Sequence, residues 1–210
     1  MCSLAEREKK VLLEIARRAV VAAVQRREFP ESPFDQARSA APPNSELSGQ
    51  LLLVPAGAFV TLHRRARLRG CIGQLAGRDP LVHVIASCAR AAALEDPRFP
   101  PLSCEELADI DIEISVLSPL SDISSGEIVA GKHGLLVSRD SHRGVLLPQV
   151  AGQFNWTAQR FLEETCVKAG LSPSAWKDPE TRIQAFTAEV FGESDLSATE
   201  SPKPGYSIST

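Results

Sequence analysis

The chain has 210 residues, 43% of them hydrophobic and 23% charged, with a formal net charge of −3. That balance supplies a full apolar core for one domain and offers no general surface to polyanions, and with no Lys/Arg run present no nucleic-acid partner is expected. No apolar stretch approaches the roughly 18–20 residues that span a bilayer, and the charged N-terminus is unlike a signal peptide, so a cytoplasmic protein without membrane contact is expected.

From Ser3, the residues Leu4, Val11, Leu12, Ile15, Ala19, Val20 and Val24 follow a helical stripe, and Ser3 with Glu6 fits a capping box at its start. The helix should stop near Phe29 and Pro30. Residues 30–49, rich in Pro, Ser and Ala, have no apolar period and read as an exposed loop. Two glycine-punctuated apolar pieces follow, Gly57 to Leu62 and Leu68 to Leu75, joined by the basic turn His63 to Arg67, which is the pattern of a hairpin.

Asp79 and Pro80 mark the start of a second helix carrying Leu81, Val84, Ile85, Cys88 and Ala92, and Ser103 with Glu106 caps a short third one. Ile110, Ile112, Ile114 and Val116 alternate with Asp111, Glu113 and Ser115, a half-buried strand with a polar face. Short strands are expected at Gly134 to Ser138 and Gly144 to Leu147. A helix from about Asn155 then turns Phe161, Leu162 and Cys166 inward and ends at Gly170, and a last strand runs from Ile183 to Phe191. Residues 1–193 form the folded domain in this reading, and 194–210, with little to bury, read as a mobile tail. Helices interleaved with hairpins predict an α+β fold with a mainly antiparallel or mixed sheet.

The five cysteines are Cys2, Cys71, Cys88, Cys104 and Cys166, an odd number with no Cys-x-x-Cys pair, which argues for reduced thiols. Cys71 stands apart. In the run Leu68, Arg69, Gly70, Cys71, Ile72, Gly73 it sits between glycines that leave backbone N–H groups open and beside a cation able to favour a thiolate. A small buried residue between packed strands explains the same position without any chemistry.

Several stretches together resemble the AMMECR family, whose prokaryotic members are called AmmeMemoRadiSam system protein A: LRGCIG at Leu68 to Gly73, DPRFPPL at Asp96 to Leu102, EISVLSPL at Glu113 to Leu120, GKHGL at Gly131 to Leu135, LLPQV at Leu146 to Val150, and the Trp156 to Leu171 pattern. The resemblance covers about Leu4 to Glu193. It implies two related β-rich halves wrapped into one barrel-like sheet with helices outside. It also implies a Memo-like protein and a radical SAM enzyme as partners, and it brings no settled activity.

The candidate catalytic residues are Cys71 and His133, the latter preferred to His63, His83 and His142 because it lies between Gly131 and Gly134 in a family-like stretch. Arg69, Gly70, Gly73, Asp96 and Arg98 are candidate substrate-binding residues, although Asp96 and Arg98 serve equally well as a clamp holding a stiff loop to the sheet. Glu113 and Ser115 share a strand face and are candidates to line the same cleft. His133 and His142 lie nine positions apart, and no metal motif, dinucleotide fingerprint or Walker loop occurs, so neither metal nor cofactor is expected.

Two readings follow. One is a cysteine-dependent enzyme or thiol-bearing component. The other is a non-catalytic module that docks partners on the LRGCIG hairpin. Nucleic-acid binding requires Arg64, Arg65, Arg67, Arg69 and Arg78 to gather into one patch.

Overall fold

The structure is a computed structural model and describes residues 3–27 and 50–198. The loop expected at 30–49 and residues 199–210 of the expected tail lie outside the described residues. In chain order the elements are α1 (Glu6–Val24), α2 (Gln50–Leu53), β1 (Ala58–Arg64), β2 (Arg67–Gln74), α3 (Leu81–Leu94) and β3 (Ile110–Leu117). Then come β4 (Ser121–Asp122), β5 (Gly134–Arg139), β6 (His142–Leu146), α4 (Pro148–Gln153), α5 (Ala158–Lys168), β7 (Arg182–Phe186), β8 (Ala188–Gly192) and α6 (Glu193–Ala198).

These elements gather into two compact units, a finer division than the single domain expected. The first takes the chain up to Ser115 and again from Val190; the second takes Val116–Glu189. The expectation of one barrel-like sheet is corrected by the strand order. The described residues form two four-stranded sheets, β2-β1-β3-β8 and β4-β7-β5-β6, and no single closed barrel.

In the first unit the stripe on α1 buries Leu12, Ile15, Ala16, Ala19 and Val20, and α1 packs against α3, which also lies against β1 and β2. α3 is apolar on a wide face, with Leu81, Val82, Val84, Ile85, Cys88, Ala89, Ala92 and Ala93 buried. Ala58, Val60 and Leu62 of β1 are wholly buried, while the alternate residues Phe59, Thr61 and His63 are half-buried. Period-two alternation thus sorts the strand into a core face and a partly open face. α1 begins two residues later than the expected Ser3 cap: the Ala5 N–H donates to Glu8 Oε2 at 2.8 Å, and because alanine has no acceptor only the carboxylate half of a capping box forms.

In the second unit Phe161, Leu162 and Cys166 of α5 pack with Leu135 and Val137 of β5 and Ala185 of β7. β5 pairs antiparallel with both β6 and β7, and β4 pairs antiparallel with β7. The Thr157 Oγ1 accepts the Arg160 N–H at 3.2 Å at the start of α5, and the helix terminates at Gly170, whose φ of +76° is a left-handed conformation that glycine adopts without strain. Burial raises the pKa of the Cys166 thiol, as expected for a core cysteine.

The single strand expected from Ile183 to Phe191 is two strands in two different sheets, β7 and β8. The break falls at Thr187, whose N–H donates to Ser118 Oγ at 2.9 Å and whose carbonyl accepts the Ser118 N–H at 2.9 Å. Hydrophobic alternation carries through such a crossing, so the sequence pattern conceals it. The first residues of the segment expected as a tail from Ser194 are helical instead. Glu193–Ala198 is helical, with Glu193 bonded to Arg17 and Ser194 Oγ donating to Asp111 Oδ1 at 2.9 Å.

Candidate functional site

The β1–β2 hairpin turns through Arg65 and Ala66, and its register begins with Arg64 opposite Arg67 and His63 opposite Leu68. Regular pairing would continue with Cys71 opposite Val60, on the buried core face. Instead the register shifts between Leu62 and His63, so that Leu62 opposes Gly70 and Thr61 opposes Cys71. Arg69 is the extra residue of this bulge. A one-residue slip exchanges the two faces of a strand, and here it moves Cys71 from the core side to the half-open side that carries Phe59, Thr61 and His63.

The same slip turns Gly70 inward. A Cβ on Gly70 would stand 2.1 Å from the Ala92 carbonyl oxygen of α3, and one on Gly73 would stand 2.3 Å from the Phe59 ring. Both glycines therefore have a packing reason: backbone and ring approach too closely for any side chain.

Cys71 is half-buried and in the free thiol form. Thr61 Oγ1 donates a hydrogen bond to its Sγ at 3.3 Å. Its N–H donates to Asp96 Oδ2 at 2.8 Å, and Arg98 Nη2 donates to its carbonyl oxygen at 3.3 Å. Arg98 Nη2 and Nε also grip Asp96 Oδ2 and Oδ1 at 2.7 and 2.9 Å, and the Arg98 N–H reaches Oδ1 at 3.1 Å. The Asp96 side chain is only 2% exposed while that of Arg98 is 54% exposed. The Arg98 side chain, helped by the backbone N–H groups of Cys71 and Arg98, holds the Asp96 carboxyl well below the usual carboxylate range despite its burial. Asp96 in turn raises the Arg98 pKa, and the Cys71 sulfur adds to that rise.

Arg69 is engaged differently. Its Nε and Nη2 form a fork on Glu106 Oε1 and Oε2, both at 2.9 Å, and Nη1 donates to the Pro100 carbonyl at 3.0 Å. Glu106 also accepts from Arg64 Nη1 at 3.0 Å and from the Ser103 N–H at 3.1 Å. The Arg69 side chain leads these contacts in lowering the Glu106 carboxyl from 4.5 to about 2. Phe99 lies beneath both guanidinium groups, 6.0 Å from Arg69 and 5.5 Å from Arg98, within cation–π range.

Cys71, Arg69, Gly70, Gly73, Asp96 and Arg98 therefore belong to one unit, with Cys71, Asp96 and Arg98 joined by hydrogen bonds and Arg69 meeting them across Phe99. His133 belongs to the other unit, where its Nδ1 accepts the Val129 N–H at 3.2 Å. His63, two residues beyond Thr61 on β1, shares the half-open sheet face with Cys71. On β3, Glu113 has its carboxyl pKa raised by burial against the opposing influence of His63, while Ser115 is buried. Sequence reasoning missed Thr61 and Glu106. The register points to Thr61 only once the bulge is known, whereas Glu106 is visible solely as a helix cap.

Cys88, buried on α3, has its thiol pushed up to about 11, mainly by burial. Among the described residues no group of three or more His, Cys, Asp or Glu side chains is placed to hold a metal ion, and no helix is long and apolar enough to cross a membrane. A cavity lined by Arg64, Arg65 and Arg67 opens at the hairpin turn, and neither Arg69 nor Arg78 contributes to its lining.

The comparisons with known proteins agree with this architecture. A protein of Methanothermobacter thermautotrophicus is 46% identical over 144 residues, covering 65% of this chain and 75% of that one. Protein TK0174 of Thermococcus kodakarensis is 39% identical over 193 residues, 87% of this chain and 88% of that protein. The crystal structure of the uncharacterized protein PH0010 from Pyrococcus horikoshii matches with a TM-score of 0.79 at 36% identity, over 90% of this chain and 93% of that one. The AMMECR1 family model matches residues 13–191, which take in the hairpin, the Asp96–Arg98 clamp and the sheets of both units. The chain belongs to the AMMECR1 family.

Proposed function

We propose that the chain acts through the Cys71 thiol, as a thiol-bearing component or cysteine-dependent enzyme. The observation that supports this most is one half-exposed sulfur that accepts from the Thr61 hydroxyl, on a residue whose carbonyl is held by the Arg98 guanidinium that buried Asp96 fixes. The hydroxyl donates to the sulfur and the guanidinium holds the same residue's carbonyl, so both groups are in place beside the thiol. Asp96, with four acceptor positions filled inside the protein, is a positioning residue in this reading, and so is Arg69, held by Glu106 and Pro100. The part-exposed Arg98 is the group that meets an anionic substrate. His63, on the same half-open sheet face as Cys71, is the base we propose beside the thiol, and His133 is a second candidate proton carrier within its own unit.

The cytoplasm suits a protein working through a reduced thiol. A Memo-like protein and a radical SAM enzyme, implied by the family, are the partners we propose this thiol face serves. Site-resolved alkylation by iodoacetamide at neutral pH tests the proposal: Arg98→Gln should slow modification of Cys71 severalfold, and an unchanged rate would remove the guanidinium from the account.

A second reading, a docking module for the same partners, draws on the rigidity of the segment. Its charged groups are tied to one another, and Leu68 beside them is 42% exposed. Cys71→Ser separates the two, because docking survives the loss of the sulfur and thiol chemistry does not.

A further inference from the structure

At the tip of the β1–β2 hairpin, the two turn residues Arg65 and Ala66 both adopt left-handed backbone conformations, with φ of 51° and 59°. Turns of this kind ordinarily use Asn or Gly, which tolerate positive φ. Here two residues with side chains take it instead, and the turn holds Arg64, Arg65 and Arg67 around a cavity of about 510 Å³. That volume lies within the range of ordinary small-molecule sites.

The three guanidinium groups are unequally satisfied. Arg64 bonds Glu106 at 3.0 Å and Asp109 at 3.5 Å, and its buried Nε–H has no hydrogen-bond acceptor among the described residues. Among the described residues Arg65 pairs with Asp109 alone, at 3.4 Å, with its side chain 80% exposed, so this pair is weak and readily exchanged. The Arg67 side chain makes no ion pair or hydrogen bond among the described residues. Three cations, Arg64, Arg65 and Arg69, thus share two carboxylates, Glu106 and Asp109, and Arg67 adds a fourth beside them. The surplus positive charge faces the cavity through Arg65 and Arg67.

We propose that this cavity binds the diphosphate group of a small phosphorylated ligand. Guanidinium groups present planar forks that match phosphate oxygens in pairs, and two under-used forks flanking one cavity suit two linked phosphates better than one. Among the described residues no aromatic side chain lines the cavity, so recognition rests on the phosphates and not on a stacked base. The cavity meets the Cys71 segment only through Arg64, which shares Glu106 with Arg69, and the assignment does not depend on the thiol proposal.

Isothermal titration calorimetry on the full chain with inorganic pyrophosphate, at low and at physiological salt, tests this. The expected result is saturable one-to-one binding that weakens at least tenfold in Arg67→Gln and further in the Arg65→Gln/Arg67→Gln double variant. Citrate, an anion of similar charge without phosphate, should bind at least tenfold more weakly. Because the Arg67 side chain has no partner among the described residues, its variant should keep the circular dichroism and thermal midpoint of the parent. Absence of saturable binding at millimolar pyrophosphate, equal binding of citrate, or undiminished binding by folded Arg67→Gln would each overturn the assignment. So would tighter, steeply salt-dependent binding of a short single-stranded DNA, which would make the patch a polyanion surface instead.

Discussion

Asp96 accepts four hydrogen bonds from two residues, Cys71 and Arg98, and in doing so fixes both the backbone beneath the thiol and the cation beside it. Removing its charge leaves those donors facing a neutral amide. Asp96→Asn should therefore cost about 1–3 kcal/mol in urea unfolding, the upper end being restrained because Arg98 is half in solvent. Glu106 offers a second test, through pH. Its folded carboxyl titrates near 2 against an ordinary 4.5, so its contribution is complete above pH ~4.5 and is lost as pH falls toward about 2. Unfolding midpoints measured down that range should drop, by up to roughly 3 kcal/mol for this group. Glu106→Gln should flatten that part of the curve, and an identical slope in the variant would show that Arg69 draws nothing from the pair.

Among the elements, the hairpin decides the site. Its strands and basic turn are legible in the sequence, as are α1, α3, β3 and the β5–β6 pair, because each carries a clear period or punctuation. The bulge at Arg69 is not legible. Register depends on which face finds the core, and here Gly70 is demanded on that face by the Ala92 carbonyl. The glycines thus read as openings for a ligand when only neighbours in sequence are considered, and as close contacts once α3 is in place. Gly70→Ala should destabilise the protein by at least about 2–3 kcal/mol, since the opposing atom is backbone and cannot swing away. A urea midpoint equal to that of the parent would mean the strand and helix are further apart than described. The division of Ile183 to Phe191 into β7 and β8 was hidden for a related reason: alternation reports burial, not the sheet in which a strand is buried.

At the scale of the molecule, family and α+β class were legible because motifs spread along the chain agree, while the partition into two sheets depended on pairings between distant strands. The chain enters the first unit twice, and the Arg17–Glu193 ion pair joins the two visits. Arg17 bonds Glu193 and the carbonyls of Leu107 and Ile110, and Glu193 Oε2 also accepts the Ile112 N–H at 2.9 Å. These groups are about three-quarters buried, so Arg17→Ala should cost about 2–4 kcal/mol and be read as a lowered thermal midpoint.

The functional account as a whole depends on the Cys71 sulfur being the reactive thiol of the protein. Iodoacetamide labelling of the native chain at pH 7, with rates resolved for each cysteine by mass spectrometry, compares Cys71 directly with Cys104, which is more exposed and whose thiol faces the Val24 carbonyl at 3.9 Å. The account predicts that Cys71 reacts faster than Cys104 despite its lower exposure. A Cys71 rate equal to or below that of Cys104 would contradict it.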